Sequence, residues 1–305
     1  MSEPVESVLV LTGAPERRAL DEMSIAALQP LLGAGLGEIR WLEPGVACQA
    51  ALSGRQAGAL AELLRGLRTA LAPRPIDVNI ITGVLRHSRK KLLVADMEST
   101  IIAQECLDEL AVHAGVHDRI AAITSRAMRG ELAFEAALIE RVALLRGLDA
   151  HLLEEIYGRR VTLMGGAETL VATMRRHGAH CALVSGGFSF FSERIAARLG
   201  FDSQQANTLE IAGGRLTGSV RPPILGREAK LASLHRLTRQ LQLAADQTLA
   251  VGDGANDLAM IAAAGLGVAF RAKPIVAEAA AVRIDHGDLT ALLYAQGYHR
   301  DEFVS

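Results

Sequence analysis

Two carboxylates one residue apart, Asp96 and Glu98, close a short apolar run at 92–95 and are followed by the hydroxyls of Ser99 and Thr100. In an extended chain, residues two apart project to the same side, so the two acids begin as neighbours. Neighbouring carboxylates repel each other unless a cation or a shared proton relieves them, which suits a metal site. Two further apolar runs end in a comparable way. The run at 181–184 leads into Ser185-Gly186-Gly187, and the run at 248–251 into Gly252-Asp253-Gly254-Ala255-Asn256-Asp257. Strands of a parallel sheet end on a common edge, where open α/β sheets bind ligands, so Asp96, Ser185 and Asp253 can meet although far apart in sequence. A strand-to-helix turn made of Ser185, Gly186 and Gly187 offers free N–H groups, a helix N-terminus and close backbone approach to an anion. Lys230 falls at i, with Leu234, Leu237 and Leu241 at i+4, i+7 and i+11, on the apolar row of its helix. An ammonium there needs an anionic partner.

The elements that must position these residues follow from periodicity and turn signals. From Thr162 onward the pattern alternates. It predicts a helix near 166–177, a strand at 181–184, a helix to Gly200, and a hairpin of 209–212 with 215–220 about Gly213-Gly214. A helix at 227–241, a strand at 248–251, a helix to Ala264, a strand at 266–270, a helix after Pro274 and a short closing strand and helix complete it. Such alternation predicts an α/β fold, a Rossmann-like, mostly parallel sheet with helices on both faces. Between the Asp96 strand and Thr162 the chain reads as helical, with apolar stripes at Leu107-Leu110-Ala111-Ala114 and Phe134-Leu138-Val142-Leu145. A helix at 117–129 lies between them, and Gly115, Gly130 and Gly147 act as stops. A helical insert at about 104–162, directly after a strand bearing carboxylates, predicts a cap over the site. Ahead of it, strands at 7–12, 38–43, 47–53 and 76–82 with helices at 21–33 and 54–70 give the order βαββαβ of a ferredoxin-like domain, residues 1–85. The basic run from Arg86 to Lys91 reads as a solvated linker into the second domain, 86–305.

Composition bounds the function. A chain of 305 residues has room for two or more domains. Half of it is hydrophobic and only 4% aromatic, a globular α/β profile. A formal net charge of −2 gives no general attraction to nucleic acid or anionic lipid. No stretch approaches the roughly 18 apolar residues of a membrane span, and the run at 8–11 is too short for a signal-peptide core. Cys48, Cys106 and Cys181 are scattered, with no C-x-x-C pair, which fits a reducing compartment. The expectation is a cytoplasmic enzyme acting on a small molecule, with no nucleic-acid and no membrane partner.

The motifs Asp96-Met97-Glu98-Ser99-Thr100, Val184-Ser185-Gly186-Gly187-Phe188, Lys230 and Gly252-Asp253-Gly254-Ala255-Asn256-Asp257, in this order, resemble those of the haloacid dehalogenase-like phosphatases. Over roughly 92–295 the chain is similar to their phosphoserine phosphatase branch. The resemblance implies Mg²⁺-dependent hydrolysis of O-phospho-L-serine in serine biosynthesis, through an aspartyl-phosphate on Asp96. It implies Asp96, Asp253 and the backbone carbonyl of Glu98 as metal ligands, with Asp257 behind them. The Glu98 side chain becomes the proton shuttle, at a place where the family usually carries Asp. Ser185, Gly186, Gly187, Lys230 and Asn256 would hold the phosphoryl group; Glu105 and Arg141 would hold the amino and carboxylate groups of serine. Met128 and Phe134 would close the pocket. Met164-Gly165-Gly166 stands where relatives tend to have Pro-Gly. The first domain resembles ACT-like modules in topology alone and is read as a regulatory or assembly unit, open to control by serine and to homodimer formation. Two other readings remain: a phosphotransferase passing the phosphoryl group to an alcohol such as homoserine, and a serine-sensing protein.

Overall fold

Residues 6–54, 56–83, 89–129 and 131–304 are described in the computed structural model, without the side chains of Ala57 and Met128. The expectations for Arg86, His87, Ser88, Gly130 and the Met128 side chain lie outside the described residues.

Four short apolar segments form strands β1 (Ser7–Gly13), β2 (Arg40–Glu43), β3 (Ala47–Leu52) and β4 (Ile76–Thr82). They pair antiparallel in the order β2-β3-β1-β4, the arrangement of a ferredoxin-like unit. Leu60, Leu63, Leu67 and Leu71 of the helix Ala57–Leu71 join Leu9, Leu11, Val78 and Ile80 in one buried cluster. The single helix expected at 21–33 is broken into Glu22–Ala26, Gln29–Leu32 and a 3₁₀ turn at Gly33–Gly35. Pro30 is the reason. In a continuous helix its ring would strike the carbonyl of Ala26, whereas in the first turn of a new helix its missing N–H costs nothing.

The second sheet contains β5 (Leu92–Ala95), β6 (His180–Phe188), β7 (Ser203–Ala212), β8 (Arg215–Arg221), β9 (Thr248–Gly252), β10 (Leu266–Phe270) and β11 (Val282–Ile284). Its order is β11-β10-β9-β5-β6-β7-β8, parallel throughout except for the final β7–β8 hairpin. Gly213 and Gly214 both take positive φ, +58° and +77°, as a two-residue hairpin turn needs. β5 lies at the centre, and all four of its residues are wholly buried. Alternation assigns its two faces. Leu93 and Ala95 pack with Leu170, Val171 and Met174 of the helix Ala167–Arg176 and with Ile195 of Ser189–Leu199. Leu92 and Val94 pack with Leu234 and Leu237 of the helix Arg227–Gln240 and with Met260 of Leu258–Ala263. Buried on both faces, β5 has no freedom to slip: one residue of register would exchange the two apolar sets and turn Asp96 into the core.

Among the described residues the helical insert has four helices, Cys106–His113, His117–Met128, Phe134–Ala143 and His151–Arg159. The last of these was not resolved as an element in the sequence. The insert is tied to the hairpin through the Gly147 N–H to Leu216 carbonyl bond, 2.8 Å, and the Leu216 N–H to Leu148 carbonyl bond, 2.9 Å. No helix among the described residues is long and apolar enough to cross a membrane.

The two sheets meet at β4 and β11. Asp77 is buried and accepts hydrogen bonds from the N–H groups of Asp285 (2.8 Å), His286 (3.1 Å) and Gly287 (2.8 Å). Two residues along, the Asn79 amide donates to the Arg283 carbonyl (2.9 Å) and accepts from the Arg283 N–H (2.8 Å). This side chain thus takes the place of a strand neighbour for β11, satisfying an edge that would otherwise lack partners.

Candidate active site

The ends of β5, β6 and β9 lie on one edge of the sheet and bring Asp96, the Ser185-Gly186-Gly187 segment and Asp253 together. Asp96, Gly186, Gly187 and Asp253 line a cavity of about 480 Å³ with Glu98, Glu105, Arg141, Asn256 and other residues of the insert. Ser185, Lys230 and Asp257 stand behind this lining and are buried.

Asp96 is held from two directions. Its N–H donates to the Val251 carbonyl (3.0 Å), which pins it to β9, and its Oδ1 accepts from the Met97 N–H (2.8 Å) and lies 2.7 Å from Lys230 Nζ. Lys230 also donates to Asp257 Oδ1 at 2.6 Å, so one buried ammonium serves two buried carboxylates. Asp257 uses its other oxygen to accept from the Gly254 N–H (3.1 Å), closing the turn after β9. Carboxylate oxygens of Asp96, Asp253 and Asp257 lie within 4.8 Å of one another. Burial and the Asp257 charge push the Asp96 carboxyl well above the ordinary carboxylate range, against the pull of Lys230. Burial and Asp257 likewise raise Asp253 to about 6, opposed by Lys273. Three acids facing one buried ammonium leave uncompensated negative charge, and a hard cation with oxygen ligands fits that deficit. Both oxygens of Asp257 already have partners, so Asp96 and Asp253 are the freer ligands.

Glu98 is not part of this acidic cluster. Its Oε1 accepts from the Cys106 N–H at 2.8 Å, at the start of the first insert helix, and the carboxylate faces Gly187. A Cβ on Gly187 would stand 2.7 Å from Glu98 Oε2, so the absent side chain is what makes room for the longer acid. Burial, then the Glu105 charge, raises Glu98 to about 7, with the Cys106 N–H acting the other way. The intervening Ser99 sits at φ +54°, a strained conformation for a residue with a Cβ, and its hydroxyl donates to Glu105 Oε1 at 2.7 Å.

The Ser185-Gly186-Gly187 segment differs from the expectation. β6 runs on to Phe188, the helix starts at Ser189, and the segment is an irregularity within the strand. Val184 pairs with Gln205 and Phe188 with Asn207, so four steps on β6 face two on β7. The excess bulges toward the cavity, as extra residues in a ladder do. Gly187 N–H donates to Ser185 Oγ (2.9 Å), and Asn207 Nδ2 donates to the Gly186 carbonyl (2.8 Å), fixing the bulge. Asn207 was missed in the sequence; a buried Asn in a strand beside the motif is the signal that would have found it.

From the insert, Glu105 is exposed at the cavity edge, and Arg141 is half-buried with Nη1 3.4 Å from Thr124 Oγ1 and Nε donating to the Ala137 carbonyl (3.2 Å). Burial lowers Arg141 below its ordinary value, partly offset by Asp108, Glu98 and Glu105. Phe134 leaves the buried stripe of its helix and stands over Gly186, 3.2 Å from where a Cβ would be. Lys273, which follows β10, also lines the cavity, and its N–H donates to the Asp253 carbonyl at 3.0 Å. It too was missed, although a cation just past a fourth strand end was a legible signal.

The haloacid dehalogenase-like hydrolase profile matches residues 93–262, which carry Asp96, Ser185, Lys230, Asp253 and Asp257. The chain belongs to the haloacid dehalogenase-like hydrolase family. This hydrolase is 45% identical over 240 residues to "Phosphoserine phosphatase" of Streptomyces coelicolor, covering 77% of this chain and 58% of that relative, so it spans under two thirds of that protein's length. It also resembles the unliganded crystal structure of a probable phosphoserine phosphatase from Vibrio cholerae, with TM-score 0.79 and 31% identity, covering 97% of this chain and 88% of the other. A structure described as the phospho-aspartyl intermediate analogue of phosphoserine phosphatase matches with TM-score 0.63 and 39% identity, over 68% of this chain and 99% of that one.

Proposed function

We propose that this hydrolase cleaves O-phospho-L-serine to L-serine and phosphate through an aspartyl-phosphate on Asp96. One juxtaposition carries the reading: the Asp96–Lys230 pair at the floor of a cavity whose other wall presents Glu105 and Arg141. The floor suits a phosphoryl group; the wall suits an ammonium and a carboxylate, which a serine moiety supplies together. The relatives named phosphoserine phosphatase, and the phospho-aspartyl analogue among them, support the same chemistry.

In the first step an Asp96 oxygen bonds to phosphorus while the serine O–P bond breaks, and Glu98 gives its proton to the leaving oxygen. In the second, Glu98 takes a proton from water as the water oxygen bonds to phosphorus and Asp96 leaves. A carboxyl poised near neutrality can do both. Lys230 and the glycine backbone of the β6 bulge lie on the side where the phosphoryl oxygens carry charge. Mg²⁺ on Asp96, Asp253 and the Glu98 carbonyl would neutralise phosphate charge during attack by an anion. Residues 104–162 act as the cap that selects substrate, 86–305 as the phosphatase unit and 1–85 as a regulatory or assembly unit.

Phosphate release from L-phosphoserine tests the proposal. Activity should require added Mg²⁺, disappear with chelator and be abolished in Asp96→Asn. Full turnover in that variant would sink the mechanism.

A further inference from the structure

A second cavity, of about 210 Å³, shares no lining residue with the first and lies where the ferredoxin-like sheet meets β11. Arg68, Arg74, Asp77, Arg283, Asp285 and His286 supply its polar lining. Its cations are anchored on one edge each. Arg68 donates through Nε to the Val78 carbonyl (3.0 Å) and through Nη2 to Asn79 Oδ1 (3.2 Å). Arg283 holds Asp285 at Nε (2.6 Å), and Arg74 holds Asp21 through Nη1 (2.8 Å). Among the described residues, Arg68 Nη1 and both Nη atoms of Arg283 have no protein acceptor. The acids of the lining are already used: Asp77 by the three N–H groups of 285–287, Asp285 by Arg283.

We propose that this joint is a binding site for a small oxyanion, a phosphate or a carboxylate, gripped between Arg68 and Arg283. Guanidinium groups present paired N–H donors that match either oxyanion. The two residues meet at Asn79, whose Oδ1 accepts from Arg68 Nη2 (3.2 Å) and from the Arg283 N–H (2.8 Å). Burial first, and then the Arg283 charge, depresses Arg68, while the Asp285 and Asp77 charges act the other way. An anion between the two guanidinium groups relieves the part of the repulsion that those acids leave. Bound there, it touches the helix Ala57–Leu71 on one side and β11 on the other, so it ties the two sheets together.

The probes are inorganic phosphate and, separately, acetate and L-serine, added to the full chain. Phenylglyoxal labelling followed by mass spectrometry should find Arg68 and Arg283 protected at least fivefold, with the exposed Arg65 unchanged. Protection by phosphate alone identifies phosphate as the ligand class, protection by acetate or serine identifies a carboxylate, and either supports the site. Absence of protection, or equal protection of Arg65, overturns it. Arg68→Gln with Arg283→Gln should weaken the protecting anion at least tenfold while leaving basal phosphatase turnover unchanged. Because labelling is done on the unaltered chain, the proposal stays testable even if that variant folds poorly. It is also independent of the substrate assigned to the other cavity.

Discussion

Glu98 is the residue on which two sequence readings differed. Spacing alone made it a neighbour of Asp96 at a cation, whereas the family resemblance made its side chain a proton shuttle. In the fold its carboxylate turns away to the Cys106 N–H and the space over Gly187, and it rests near neutrality because burial and Glu105 both oppose its charge. The longer side chain and the glycine are coupled by contact, and coupled residues respond non-additively to mutation. Gly187→Ala should therefore displace the carboxylate and lower kcat about tenfold, short of the roughly 10²–10⁴-fold of losing a positioned proton donor outright. Shortening the acid in the same background, Glu98→Asp with Gly187→Ala, should recover part of the loss. A double mutant no better than Gly187→Ala, measured by steady-state kinetics on phosphoserine, would show that the space over Gly187 is not what accommodates Glu98.

At the scale of elements, the helix Arg227–Gln240 carries a cation on its buried row. Lys230, Ser233, Leu234 and Leu237 are its buried residues, while Leu241, expected on the same row, caps the helix and is 37% exposed. Helical spacing thus located Lys230 correctly in the interior but overran the element by one residue, the half-exposed cap Leu241. Lys230 compensates two acids on two different strand ends, so its removal leaves buried charge unpaired. Lys230→Met should destabilise the fold by about 3 kcal/mol, as breaking a buried ion pair does, and abolish turnover. Adding Asp257→Asn should restore part of the stability and none of the activity. Urea unfolding provides the measurement, and an unchanged midpoint in Lys230→Met would refute the compensation. The β6 bulge belongs to this scale too. Ser-Gly-Gly read as a strand-to-helix turn because glycines punctuate strands; that the ladder resumes at Phe188 depends on its pairing with the distant Asn207.

At the scale of the whole molecule, the joint between the sheets is polar and specific. Asp77 accepts from three successive N–H groups, and burial pushes its carboxyl upward while those bonds pull it back. Asp77→Ala would orphan three donors, the Gly287 N–H in a buried place and those of Asp285 and His286 in part-buried ones. Each such group costs on the order of 1–3 kcal/mol, but backbone relaxation and water recover part, so about 2–4 kcal/mol in total is expected. The loss should appear in thermal unfolding as a lower midpoint, with the ferredoxin-like unit separating as an earlier transition. A single transition at the original midpoint would mean that the joint does not hold the two units together.

Much of this protein was determined by local sequence. Alternation of apolar runs and turn residues is a short-range signal, so the parallel sheet, the helical insert and the βαββαβ order could be read from it. So could the strand ends bearing Asp96, Ser185 and Asp253, because a parallel sheet places them on one edge whatever the details. What required the tertiary structure were the relations across that edge. Which oxygen Lys230 grips, how Asn207 fixes the bulge, why Gly187 admits Glu98, and how Lys273 comes to line the cavity all depend on contacts between segments distant in sequence. Burial then does the remaining work. In water these carboxylates would titrate as ordinary acids; burial and the Asp257 charge push Asp96 and Asp253 upward, which gives the site its need for a cation, and burial with the Glu105 charge raises Glu98, which gives it a proton shuttle.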